Sequence, residues 1–168
     1  MVEMQLAAVR VDLQSNTPVV LLQEATGAHR TLPIFIGAPE ATAIAYAMQN
    51  VAVARPLTHD LMRDLLVDLG AQVEAVVITE LREQTFYAEI RMTLAGKQHI
   101  VSSRPSDAIA LAARIGTTIY VEDELLDAEG VLLQNDEEPE DPKSQDELVD
   151  EFREFIEGVR PEDFSSGT

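Results

Sequence analysis

The chain contains no cysteine. That absence excludes disulfides, thiolate zinc sites and a cysteine nucleophile, leaving His29, His59, His99 and the carboxylates as candidate metal ligands. A metal held by such a set is expected to be hard and oxygen-liking, Mg²⁺ or Mn²⁺. The first residues, Met1-Val2-Glu3-Met4-Gln5, lack the basic stretch of a secretion signal, and no apolar run approaches the ~18 residues of a membrane span. A cytoplasmic protein with no membrane partner is expected. The Gly-rich phosphate loop of the Walker type, Gly-x-Gly-x-x-Gly and Gly-x-Ser-x-Gly are all missing, which argues against a standard ATPase, dehydrogenase or hydrolase.

What is present suits one domain with a tail: 168 residues, 46% of them hydrophobic, are enough to bury a core. The net charge of −18 is unevenly spread. From Glu122 onward there are 18 acidic and 3 basic residues, a net of −15, so residues 1–121 hold 12 acidic and 9 basic, a net of −3. A nearly neutral body therefore carries an acidic tail. The run Asn135-Asp136-Glu137-Glu138-Pro139-Glu140-Asp141-Pro142 reads as a solvated linker.

Along the body, residues 4–13, 19–24 and 30–36 read as strands separated by polar turns, with Pro33 marking the third as an edge or bulged strand. Residues 40–50 form a helix apolar on nearly all sides, which demands cover on more than one face and invites a partner subunit. Residues 58–69 form an amphipathic helix, with Leu61, Met62, Leu65, Leu66 and Leu69 opposite Asp60, Arg63, Asp64 and Asp68 and a stop at Gly70. Residues 72–102 read as a three-stranded meander, 105–115 as a small-residue helix ending at Gly116, and 118–121 as a short strand. A helical turn at 124–128 and an acidic helix at 145–158 follow. The order predicts an α+β fold: a mixed, largely antiparallel sheet packed with apolar helices, plus an acidic C-terminal helix.

Two segments concentrate polar chemistry at helix starts, Arg55-Pro56-Leu57-Thr58-His59-Asp60 and Arg104-Pro105-Ser106-Asp107. Thr58 and Ser106 can cap first-turn N–H groups, and the positive end of a helix dipole favours a carboxylate or a bound phosphate. Both arginines precede a proline, which launches them from extended backbone suited to gripping phosphate; pairing with Asp60, Asp107 or a neighbouring subunit is the alternative. His59 can serve as a general base or simply face solvent, with Arg63 one turn along on its side. Glu40, Asp60 and Asp107 are the candidate metal ligands, although Asp60, Asp64 and Asp68 also fit a solvated face.

The order and spacing of Leu32-Pro33-Ile34-Phe35-Ile36-Gly37-x-x-Glu40-Ala41, Arg55-Pro56-Leu57-Thr58-His59-Asp60-Leu61, Phe86-Tyr87-Ala88 and Ser103-Arg104-Pro105-Ser106-Asp107-Ala108-Ile109-Ala110-Leu111 resemble the bifunctional nuclease family, the BFN domain. The likeness places that domain at 1–133, followed by a linker at 134–144 and a helix and tail at 145–168 that resemble the acidic extension of actinobacterial members. It implies an α+β, often oligomeric domain that cleaves RNA and DNA, with nucleic acid as partner. On the matching positions, His59, Asp60 and Asp107 become candidate catalytic residues, Arg55, Thr58, Arg104 and Ser106 candidate phosphate ligands, and Glu40, Asp60 and Asp107 candidate ligands for Mg²⁺ or Mn²⁺. A non-enzymatic oligomeric or regulatory module, whose acidic tail binds a basic partner, is the alternative.

The tail's charge yields one test. An acidic segment that imitates nucleic acid competes for the body, so deleting residues 134–168 is expected to raise nucleic-acid affinity and alter its salt dependence; unchanged affinity contradicts this.

Overall fold

The structure, a computed structural model, describes residues 1–132. The expected linker at 134–144 and acidic helix at 145–158 lie outside the described residues. Among the described residues seven strands form one sheet: β1 (Val2–Asp12), β2 (Thr17–Glu24), β3 (Thr31–Phe35), β4 (Gln72–Arg82), β5 (Thr85–Leu94), β6 (Lys97–Ser103) and β7 (Thr118–Val121). The helices are α1 (Ala38–Met48), α2 (Thr58–Asp68), α3 (Pro105–Ile115) and α4 (Asp123–Glu129). The sheet order is β3-β2-β1-β7-β4-β5-β6, antiparallel everywhere except between β4 and β7. This is the expected α+β fold with a mixed, largely antiparallel sheet. Among the described residues no helix is long and apolar enough to cross a membrane.

Alternation explains the strands. In β5, Ala88 and Ile90 face the core while Glu89 and Arg91 pair with each other on the wetter face. Turns follow from local chemistry: Asp12 accepts hydrogen bonds from the Ser15 amide and hydroxyl between β1 and β2. Pro33 lies in the edge strand β3, where no inner ladder bond is lost.

Helix α3 is the centre of the packing. Its alanines at 108, 110 and 112 are buried with Ile109 and Leu111, and their small side chains let the helix lie close to β4, β5 and β7 while touching α1 and α2. Helix α1 buries Ala41, Ala43 and Ile44 but leaves Tyr46 and Met48 partly exposed, so within the described residues only one of its faces is fully covered. In α2, Met62 and Leu66 pack on the core, whereas Leu61, Leu65 and Leu69 are exposed. The expected leucine stripe is thus only half buried.

Helix ends correct two expectations. The N-cap of α2 is Leu57 and that of α3 is Arg104, so Thr58 and Ser106 fall inside the first turn and cap nothing. Asp60 instead accepts the Leu57 amide at 2.9 Å, half of a capping box, since leucine offers no acceptor in return. At its other end α2 closes in a Schellman motif: the Gly70 amide bonds Val67 and the Ala71 amide bonds Leu66, with Gly70 at φ +75°. Asn50 plays the same part after α1, at φ +51°.

One turn is built from unfavourable residues. Glu83 and Gln84 join β4 to β5 with φ of +50° and +63°, the two-residue geometry that Asn-Gly adopts without strain. Replacing Glu83-Gln84 by Asn-Gly is therefore expected to stabilise the fold by about 1 kcal/mol, read as a raised urea midpoint; a lowered midpoint would show that these side chains hold the turn.

Candidate functional site

Two charged clusters grow from the two ends of α3. At its start, Arg104 is N-cap and Asp107 the third helical residue, one turn apart on the same side. The Arg104 guanidinium donates to Asp107 through Nε at 2.7 Å and Nη2 at 3.0 Å, and Nη2 also donates to Glu40 Oε1 at 2.8 Å. Asp107 Oδ1 lies 3.1 Å from His59 Nε2. Three helices thus supply one row, Glu40 of α1, Arg104 and Asp107 of α3, and His59 of α2. The row runs from solvent inward, because the Arg104 side chain is 65% exposed and that of His59 only 9%. His59 is therefore no solvent-facing histidine, and Arg63 pairs with Asp64 rather than with it.

Gly37 is part of this geometry. A Cβ at that position would crowd Glu40 Oε2, so a larger residue there would push the flexible glutamate from its path back over the N-cap toward Arg104.

The second cluster lies at the far end of α3. Arg114, 5% exposed, donates through Nε to Asp60 Oδ1 at 2.6 Å and through its terminal nitrogens to the carbonyls of Ala110 and Ala43. One buried guanidinium thereby ties α1, α2 and α3 together. Its signal in the sequence is a lone cation closing the run Ala108-Ile109-Ala110-Leu111-Ala112-Ala113, a signal that helix-end charge alone hides. Glu24, buried against Arg30, is likewise hidden.

Of the residues singled out in the sequence, Glu40, His59, Arg104 and Asp107 come together. Asp60 does not join them, being spent on Arg114 and the Leu57 amide. Arg55 and Thr58 are exposed, and among the described residues Arg55 forms no ion pair. Ser106 is buried and lines a groove of about 490 Å³ with Arg104, Phe35, Leu81 and Phe86. Of the candidate metal ligands, Glu40 and Asp107 share the Arg104 cation, Asp60 faces Arg114 instead, and among the described residues no three His or acidic side chains converge.

Burial opposes ionisation of both Asp107 and Asp60, yet hydrogen bonds win. Arg104 and His59 hold Asp107 below the ordinary aspartate pKa, while Arg114 and the Leu57 amide do so for Asp60. The hydrogen bonds that Arg104 donates to Asp107 and Glu40 raise its own pKa in turn.

The sequence profile of the Bifunctional nuclease domain matches residues 20–134, more than half of the chain. The chain belongs to this family. An uncharacterised protein of Mycobacterium tuberculosis (strain ATCC 25618 / H37Rv) is 45% identical over 166 residues, 98% of each chain. Bifunctional nuclease 2 of Arabidopsis thaliana is 30% identical over 115 residues, 67% of this chain and 35% of the plant protein. Bifunctional nuclease 2 of Oryza sativa subsp. japonica is 29% identical over 118 residues, covering 68% of this chain and 36% of its own. This chain therefore spans about a third of the length of those plant nucleases. Every residue of both clusters lies inside the matched bifunctional nuclease domain.

The two clusters make separable predictions for stability. Arg114→Ala strands Asp60 in a partly buried site and is expected to cost about 3–5 kcal/mol in urea unfolding, while an Arg114→Met, Asp60→Leu double variant recovers most of that loss. A double variant as unstable as the single would contradict the ion-pair account. Because both aspartates titrate lower in the folded than in the unfolded chain, their contribution is complete above an ordinary aspartate pKa of about 4 and is lost as pH falls through the lowered folded values. The urea midpoint should hold from pH 7 to about 5 and drop steeply below 4, with Asp60→Asn flattening that drop.

Proposed function

We propose that this domain is a nuclease that hydrolyses phosphodiester bonds of RNA and DNA. The observation that carries the reading is the row Glu40–Arg104–Asp107–His59, a solvent-facing guanidinium held on one side by a half-buried aspartate that is itself backed by the buried imidazole. Such a cation, fixed in orientation by two carboxylates, can meet a phosphate oxygen and neutralise the charge that develops on it as the bond breaks. Water attacks phosphorus, and its proton passes to the His59–Asp107 pair. Asp107 accepts from Nε2–H, which leaves the other ring nitrogen its lone pair. The new P–O bond forms as the bond to the leaving sugar oxygen breaks, and that oxygen takes up the proton held by the His59–Asp107 pair, which restores the base. The groove beside Arg104, with Phe35, Leu81 and Phe86, accommodates the flanking nucleoside, and Ser106 offers a hydroxyl to the phosphate. The family membership and the plant relatives named nucleases support this reading.

A second reading, a non-enzymatic binding module, is favoured by one feature: every carboxylate of the two clusters already has a cationic partner. The two separate in a cleavage assay on single-stranded RNA and DNA, run with and without Mg²⁺. His59→Ala, Asp107→Asn and Arg104→Ala are expected to lower kcat/KM by about 10²–10⁴-fold with the circular dichroism spectrum unchanged. Wild-type protein without cleavage, or cleavage that survives all three replacements, would overturn the nuclease reading in favour of the module.

A further inference from the structure

The two edges of the sheet are unlike. β3 closes one side with five residues that include Pro33, and Val131 bridges Thr31 on its outer flank. β6 ends the other side with seven residues, Lys97–Ser103, without proline and exposed along nearly their whole length, Ile100 by 63%. Among the described residues nothing pairs with its outer side. An open edge with apolar side chains is a template for another strand, and proteins ordinarily blunt it.

The hairpin determines which backbone groups are free. Ala95 and Gly96 have φ of +50° and +74°, the two-residue turn in which the flanking pair, Leu94 and Lys97, exchanges both hydrogen bonds. Alternation then turns the N–H and C=O of Lys97, His99, Val101 and Ser103 toward β5, and those of Gln98, Ile100 and Ser102 toward the open edge. The free groups are symmetric about Ile100.

We infer that two copies of this chain pair antiparallel along β6 about a two-fold axis at Ile100, and that the partner's Lys97 completes the phosphate site. In this register Ile100 faces its own copy, Gln98 faces Ser102, His99 faces Val101 and Lys97 faces Ser103, so no like charges meet. Ser103 immediately precedes Arg104. Lys97 and Ser103 also share the sheet face of Ala88 and Ile90, the face that α3 covers. The partner's ammonium therefore arrives beside a cluster in which two carboxylates share one guanidinium. There it balances the surplus negative charge and frees Arg104 for substrate. Because the contact is isologous and the β3 edge is blunted, assembly stops at two copies. The pairing stands without the nuclease reading, whereas the role of Lys97 rests on it.

The absence of native cysteine makes the register testable. Light scattering should give the mass of two chains. Ile100→Cys should form an intermolecular disulfide on oxidation, its Cα atoms lying about 5.5 Å apart across the axis. Lys97→Cys, about 20 Å from its own copy, should not. Ile100→Lys should give the mass of one folded chain. Lys97→Ala should stay dimeric while binding a single-stranded oligonucleotide about tenfold more weakly, the scale of one charged hydrogen bond. A wild-type monomer, a larger ring, or cross-linking at position 97 rather than 100 overturns the pairing. Unaltered oligonucleotide binding by dimeric Lys97→Ala overturns the site role. Wild-type protein that is dimeric and cross-links as expected but neither binds nor cleaves nucleic acid defeats the nuclease reading, and the role of Lys97 with it, and leaves the pairing intact.

Discussion

Close burial of α3 is the constraint on which the rest of this structure depends. A helix can lie this near a sheet only if its inward residues are small, and Ala108, Ala110 and Ala112 meet that need while Ile109 and Leu111 supply apolar area. Its charges are consequently pushed to the two ends, Arg104 and Asp107 at the start and Arg114 in the last turn. Each end then recruits a neighbour of opposite charge from the helices beside it. The site is in this sense a by-product of how α3 is packed.

Consecutive residues of α2 serve the two ends differently. His59 turns to Asp107 and Asp60 turns to Arg114, so a single helical turn of α2 is pinned at two points along α3. The Asp60–Arg114 pair is mostly buried and acts as a strut, since α1, α2 and α3 all contribute atoms to it. The Arg104 cluster keeps one exposed cation over partly buried carboxylates and the buried His59, and in the proposed function a substrate oxygen exchanges for one of those carboxylates. Rigidity at one end and exchangeability at the other is what the proposed phosphate site requires.

Much of the fold was legible in the sequence because its punctuation is strong. Residues 105–115 and 118–121 are bounded by Pro105, Gly116 and Val121, and alternation through 86–94 left little choice for β5. The sheet order was not legible, since β7 enters between β1 and β4 through pairings distant in sequence. The hydroxyls of Thr58 and Ser106 read as caps in the sequence because each stands within two residues after a proline at a helix start; the helices begin from Leu57 and Arg104, which puts both hydroxyls one or two residues inside. Glu40, His59, Arg104 and Asp107 lie together in the structure, whereas grouping Asp60 with them rests on its residue type alone. Its true partner, Arg114, lies 54 positions away and is found only through the packing of α2 on α3.

The central claim is that the acid–imidazole pair behind Arg104 takes the proton of an attacking water. Its most direct test is the pH–rate profile of single-stranded RNA cleavage by the wild type and by His59→Gln, which preserves a hydrogen bond to Asp107 but cannot take up a proton at neutral pH. The account predicts a slower variant whose profile has lost one ionisation. Equal rates with superimposable profiles would contradict it.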